Sequence, residues 1–205
     1  AEVSQRALLH LGAPPDPEGQ ARTFLSGNTL EERYLGLRFV GLHRLTALGP
    51  ELLAQVGHGE REEFVLAALR ALVELGQCEM VAELLEALHS GQSPRLQEAL
   101  AEAIRDLADP LAARALGERA QQLRQPLLHV IAVEALVQSH RRQGSRLTPD
   151  DAIELQAHVQ EAWSARNPWA LQMRTLEALK DAPGGDPAVW RGLVALVQET
   201  LAERR

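Results

Sequence analysis

Five segments of this chain fall onto one template: an apolar residue, a small residue (usually alanine) seven positions later, and Leu or Ile directly after it. The matches are Leu37/Arg44/Leu45, Phe64/Ala71/Leu72, Leu96/Ala103/Ile104, Leu128/Ala135/Leu136 and Leu171/Ala178/Leu179, with successive copies 27, 32, 32 and 43 residues apart. Recurrence at that period marks stacked helical pairs, each unable to bury its apolar face alone. The pattern predicts an all-α chain: a right-handed α-solenoid of about five helix pairs forming a single domain over residues 1–205. Residues 1–28 read as an N-terminal cap and 148–205 as divergent C-terminal repeats.

Aromatic residues make up only 3% of the chain, and Ala and Leu dominate, which suits close helix packing and penalises a sheet. Pro is tolerated at the first position of a helix, where its missing N–H has no partner anyway. Pro17, Pro50, Pro94, Pro110, Pro126, Pro149, Pro168 and Pro187 fit that role, most of them behind a side chain able to cap. With Gly12, Gly27, Gly49, Gly76 and Gly91 as stops, the reading includes helices at 29–48, 60–75, 77–90, 93–108, 125–141, 148–165 and 186–204. In the 60–75 helix, residues 64, 67, 68, 71, 72 and 75 form one apolar stripe, and Val65, Leu66, Leu69 and Val73 make the rest apolar too. That predicts it to be the most buried element, with Phe64, Ala68, Ala71, Leu72, Ala103, Ile104, Ala135 and Leu136 in the core.

The segment Phe64-x2-Ala67-Ala68-x2-Ala71-Leu72-x2-Leu75-Gly76, followed by Gln77-Cys78-Glu79-Met80-Val81-x2-Leu84-Leu85-x-Ala87-Leu88, resembles a bacterial HEAT repeat. Leu96-x2-Ala99-Leu100-x2-Ala103-Ile104-x2-Leu107 repeats it. HEAT repeats usually carry an Arg just after the first apolar residue, which Arg38 keeps and Val65 and Gln97 do not. The resemblance implies a HEAT-like, armadillo-type scaffold or adaptor whose surface binds another protein. Two alternatives share the architecture: an alkylpurine DNA glycosylase type of nucleic-acid enzyme, and a bilin-lyase-like assembly factor. No residues match a glycosylase active site.

Charge bears on that choice. The net charge is -7, Lys180 is the sole lysine, and residues 1–102 hold 8 Arg against 15 carboxylates. A basic stripe able to neutralise phosphates is missing, so specific duplex DNA binding is not expected. The lone Cys78 allows no internal disulfide and suits a reducing compartment, hence a cytoplasmic expectation. No apolar run reaches membrane-span length, and the start Ala-Glu-Val-Ser carries no leader features.

There is no phosphate loop, nucleophile elbow, His-Glu-x-x-His or Cys-x-x-Cys, so no catalytic residue, metal or cofactor is assigned. Glu154, His158 and Glu161 share a helical face at ligand-like spacing, but one helix cannot close a coordination sphere, and a solvated face is the ordinary reading. Of the other histidines, most read as surface or cap residues, with His129 the candidate for packing. Trp163, Trp169 and Trp190 gather near the C-terminus as anchors or gap fillers, and Arg141, Arg142 and Arg146 beside His140 read as a solvated loop.

What remains is surface. Opposite the apolar stripe, one column of the template carries His43, Arg70, Glu102, Glu134 and Glu177, and its neighbour Glu74, Asp106, Gln138 and Asp181. Arg70, Glu74, Glu102, Asp106, Glu134 and Glu177 are the expected partner-binding residues, on a face suited to a protein with a basic surface or peptide. Reversing Glu102 and Glu134 together is expected to slow association and flatten its salt dependence while leaving the melting temperature nearly unchanged, because exposed charges contribute little to stability.

Overall fold

The computed structural model describes residues 16–58, 61–163, 166–180, 182–183, 191, 192, 194, 195, 198 and 202. Every regular element among them is helical, and they fall into two compact units divided between Met80 and Val81.

The first unit holds α1 (Pro17–Leu25), α2 (Leu30–His43), α3 (Gly49–His58) and α4 (Glu62–Leu75), with 3-10 turns at Thr46–Leu48 and Cys78–Met80. The caps explain the starts: Asp16 accepts from the Gly19 N–H at 2.8 Å, and Thr29 with Glu32 forms a capping box ahead of α2. Helix α2 packs on both α1 and α4, α4 packs on α3, and an Arg22–Glu51 ion pair at 2.9 Å ties α1 to α3. Phe64, Ala68, Ala71 and Leu72 are buried, as their stripe requires. Gly76 ends α4 at φ 68°, with open space where a Cβ would stand, so only the backbone conformation demands glycine there.

The first template copy is misregistered. The 29–48 helix stops at His43 because Arg44 takes a left-handed C-cap at φ 49°, so the Arg44/Leu45 match runs through the helix end. Aligned on their C-caps, Phe39 and Val40 of α2 occupy the places of Ala71 and Leu72 in α4, and both are buried. His43 therefore leaves the proposed column and lies against the Phe39 ring, centroids 4.2 Å apart. Likewise 77–90 is not one helix: the Gln77 amide is turned to the Thr46 carbonyl, and regular helix begins only at Val81.

The second unit holds α5 (Val81–Ala87), α6 (Pro94–Leu107), α7 (Pro110–Leu123), α8 (Pro126–Gln143), α9 (Pro149–Ala162) and α10 (Trp169–Lys180). Four of these begin on their proline, and Ser93, Asp109 and Thr148 cap three of them through the backbone N–H groups of Leu96, Ala112 and Asp151. Short connections force neighbours to run antiparallel, giving two layers: α6, α8 and α10 side by side, and α5, α7 and α9 behind them. Ala103, Ile104, Ala135 and Leu136 are in this core.

The most buried element is α8, not α4. It is packed by α6, α7, α9 and α10, and the whole run Leu128–Val133 is buried, His129 included. Trp163 is also buried and meets the half-exposed Trp169 edge-on, centroids 6.5 Å apart; Trp190 and the 1–15 part of the expected cap lie outside the described residues. Nearly all of the expected 186–204 helix lies there too.

Candidate functional site

The side-by-side helices α6, α8 and α10 set three acidic positions next to one another. Glu102 and Asp106 sit one turn apart on α6, and Glu134 stands opposite them on α8. Two arginines bind them together. Arg105 on α6 reaches Asp106 at 2.8 Å, Glu134 at 2.9 Å and Glu102 at 3.8 Å. Arg174 on α10 reaches Glu134 at 2.6 Å and Glu102 at 3.2 Å.

Three carboxylates around two guanidiniums leave the cluster one charge negative. Its members differ in exposure: the Glu102 and Asp106 side chains are 39% and 37% accessible, whereas that of Glu134 is only 11% accessible. Burial alone would raise the Glu134 pKa, but hydrogen bonds from Arg174 and Arg105 outweigh it and hold the carboxyl below its ordinary value. Burial works against the charge of Arg105, yet Asp106 and Glu134 keep its guanidinium more firmly protonated than usual. Glu134 is therefore an internal anchor of the face. Reversing it breaks a partly buried network, contrary to the expectation that a Glu102 and Glu134 double reversal is neutral for stability.

Of the other expected partner-binding residues, Glu177 is exposed on α10, and Arg70 and Glu74 are exposed on α4 in the first unit. Gly41 of α2 lies so close to Glu74 that a Cβ there would meet its carboxylate. Asp181 lies outside the described residues.

Of the arginines read as a solvated loop, Arg141 and Arg142 lie in the last turn of α8, Arg146 is exposed in the segment beyond it, and Arg142 is committed to structure. The Arg142 guanidinium donates to the carbonyls of Arg105 at 3.0 Å and Ala108 at 2.6 Å, and to that of Asp106, closing the open end of α6. Beside it the buried Asp151 accepts from Arg114 at 2.6 and 2.8 Å, and His140 Nε2 stands 3.1 Å from it. Burial would raise the Asp151 pKa, and the Thr148 and Arg114 hydrogen bonds reverse that, keeping it ionised below the ordinary range.

Two histidines expected on the surface are buried. His140 is one; His158 is the other, its Nδ1 2.9 Å from Nδ1 of His129. The Glu154/His158/Glu161 face is thus not uniformly solvated: His158 turns inward and Glu161 outward. Among the described residues no group of three or more His, Cys, Asp or Glu could hold a metal ion.

Residue spacing pointed to the carboxylates but missed Arg174. Its partners lie 40 and 72 residues away, and it occupies a different template position from Arg105, so no column shows the two together. The Glu102–Arg105 pair, three residues apart, was the available signal.

Among the described residues no helix is long and apolar enough to cross a membrane. No family model matches the chain, and no curated protein matches it. Among solved structures it is similar to the complex of CpcE and CpcF of phycocyanin lyase from Nostoc sp. PCC7120, at 16% identity over 93% of this chain and 97% of that chain, with a TM-score of 0.44.

Proposed function

We propose that this chain is a HEAT-like helical-repeat module that binds another protein through the outward face of α6, α8 and α10, and that the surface it receives there is basic. The observation that carries the reading is the cross-braced cluster of Glu102, Asp106 and Glu134 with Arg105 and Arg174, whose surplus negative charge sits on its two most accessible carboxylates. Holding the side chains in place beforehand lowers the ordering cost of binding, and the surplus charge steers a basic partner towards the face. Glu177 extends this face along α10. Arg70 and Glu74 are the positions proposed for the same role in the first unit.

The test is capture of the partner from the native source, followed by association kinetics with the double variant Glu102→Gln, Asp106→Asn, which removes the charge without adding cations beside Arg105 and Arg174. Association should slow at least about tenfold at low salt and lose most of its salt dependence, while the melting temperature moves little. Unchanged association would place the interface elsewhere.

A further inference from the structure

The second unit carries a cavity of about 320 Å³ away from the acidic face, between the end of α7, the start of α8 and the second half of α9. That volume lies near the lower end of small-molecule sites, roughly 300–1,000 Å³. Its walls hold Gln121, Arg124, His129, Gln160 and Glu161. His129 is 3% exposed and forms the floor, and its Nδ1 is taken by His158 at 2.9 Å. Its Nε2 is the ring nitrogen left for the cavity.

Two imidazole nitrogens 2.9 Å apart require one donor and one acceptor. Behind the pair, Glu154 Oε1 lies 3.8 Å from His158 Nε2, beyond hydrogen-bond reach. In either tautomer of the pair, His129 Nε2 offers the cavity one hydrogen-bonding position, as acceptor or as donor. Burial, and then the neighbouring His158, push the His129 pKa down to about 4, so the ring meets a ligand neutral. The arrangement is built at a cost to α7: a Cβ on Gly117 would stand 2.3 Å from His158 Nε2, so only glycine leaves room for the pair.

At the rim, Arg124 and Glu161 are exposed, and neither side chain has a hydrogen bond or ion pair among the described residues. A plain anion would meet Glu161, and a plain cation would meet Arg124. We propose that the cavity binds a small zwitterion of free amino acid or dipeptide size, its carboxylate on Arg124, its ammonium on Glu161, and its remaining polar atoms on Gln121, Gln160 and Nε2 of His129. The site stands apart from the α6–α8–α10 face and does not depend on the protein-binding reading.

The test is a nitrogen-15 NMR titration of the full chain with each of the twenty free amino acids and glycylglycine in turn, following the His129 ring nitrogens. At least one should saturate with a Kd of about 1 mM or tighter and shift Nε2. Arg124→Gln and Glu161→Gln, both at exposed positions, should each weaken it at least about tenfold, and the analogue blocked at both termini should not bind. No saturation by any of these probes up to about 10 mM would overturn the proposal. So would equal binding of the blocked analogue, or unchanged affinity in both variants.

Discussion

Individual side chains of the second unit differ sharply in what they contribute, although the amino-acid pattern treats them alike. Glu102 and Glu134 occupy the same template position, yet Glu102 meets the arginines at 3.2 and 3.8 Å from a partly open site, while Glu134 holds both at 2.6 and 2.9 Å from a nearly closed one. Glu134→Lys would put a third cation against Arg105 and Arg174, and its expected cost is about 3–5 kcal/mol. Glu102→Lys should cost no more than about 1 kcal/mol, and urea titrations of the two variants separate these outcomes. A second prediction concerns pH. The folded pKa of His129 is depressed to about 4 from an ordinary 6.5, so between those values the unfolded chain binds more protons than the folded one. Stability from this group is complete above about pH 6.5 and is lost as pH falls towards 4. Wild type should therefore lose more stability over that range than His129→Gln, measured by urea midpoints; parallel pH profiles would contradict the buried neutral ring.

At the scale of elements, the helical starts and the packed stripes were legible because each rests on local physics. Proline at the first helical position, a capping side chain before it and alanine on the contact face are all written within one or two turns of sequence, as at Ser93-Pro94 and Asp109-Pro110. Two things were not legible. The end of α2 is made by Arg44 in a left-handed conformation, where a stop signal would ordinarily be glycine or asparagine, so the helix reads on and the first template copy slips. The rank of α8 was hidden because burial around most of its circumference blurs the one-sided pattern by which amphipathic helices are recognised; Val130, Ile131, Ala132 and Val133 are buried in succession. Helix α4 tests the template where its register holds. Leu72 is fully buried, so Leu72→Ala should cost about 2–5 kcal/mol through lost transfer energy and the cavity left behind. A loss below about 1 kcal/mol would show that its neighbours collapse into the space.

At the scale of the whole molecule, the repeat of helical pairs and the acidic balance were readable from the chain, and the chemistry of the site was not. The contacts that define it join residues far apart: Arg105 to Glu134 across 29 positions, Arg174 to Glu102 across 72, His129 to His158 across 29. Packing of one layer on the next decides such pairs, and a column of like positions shows only half of each. The proposed docking surface for a partner protein is the α6–α8–α10 face, not the layer behind it. Its most direct measurement is site-specific photo-cross-linking with the captured partner, comparing a probe at Asp106 on α6 with one at Ile153 on α9, which is 70% exposed. A cross-linked complex is expected from position 106 and none from position 153; cross-linking from 153 with none from 106 would place the partner on the α9 side instead.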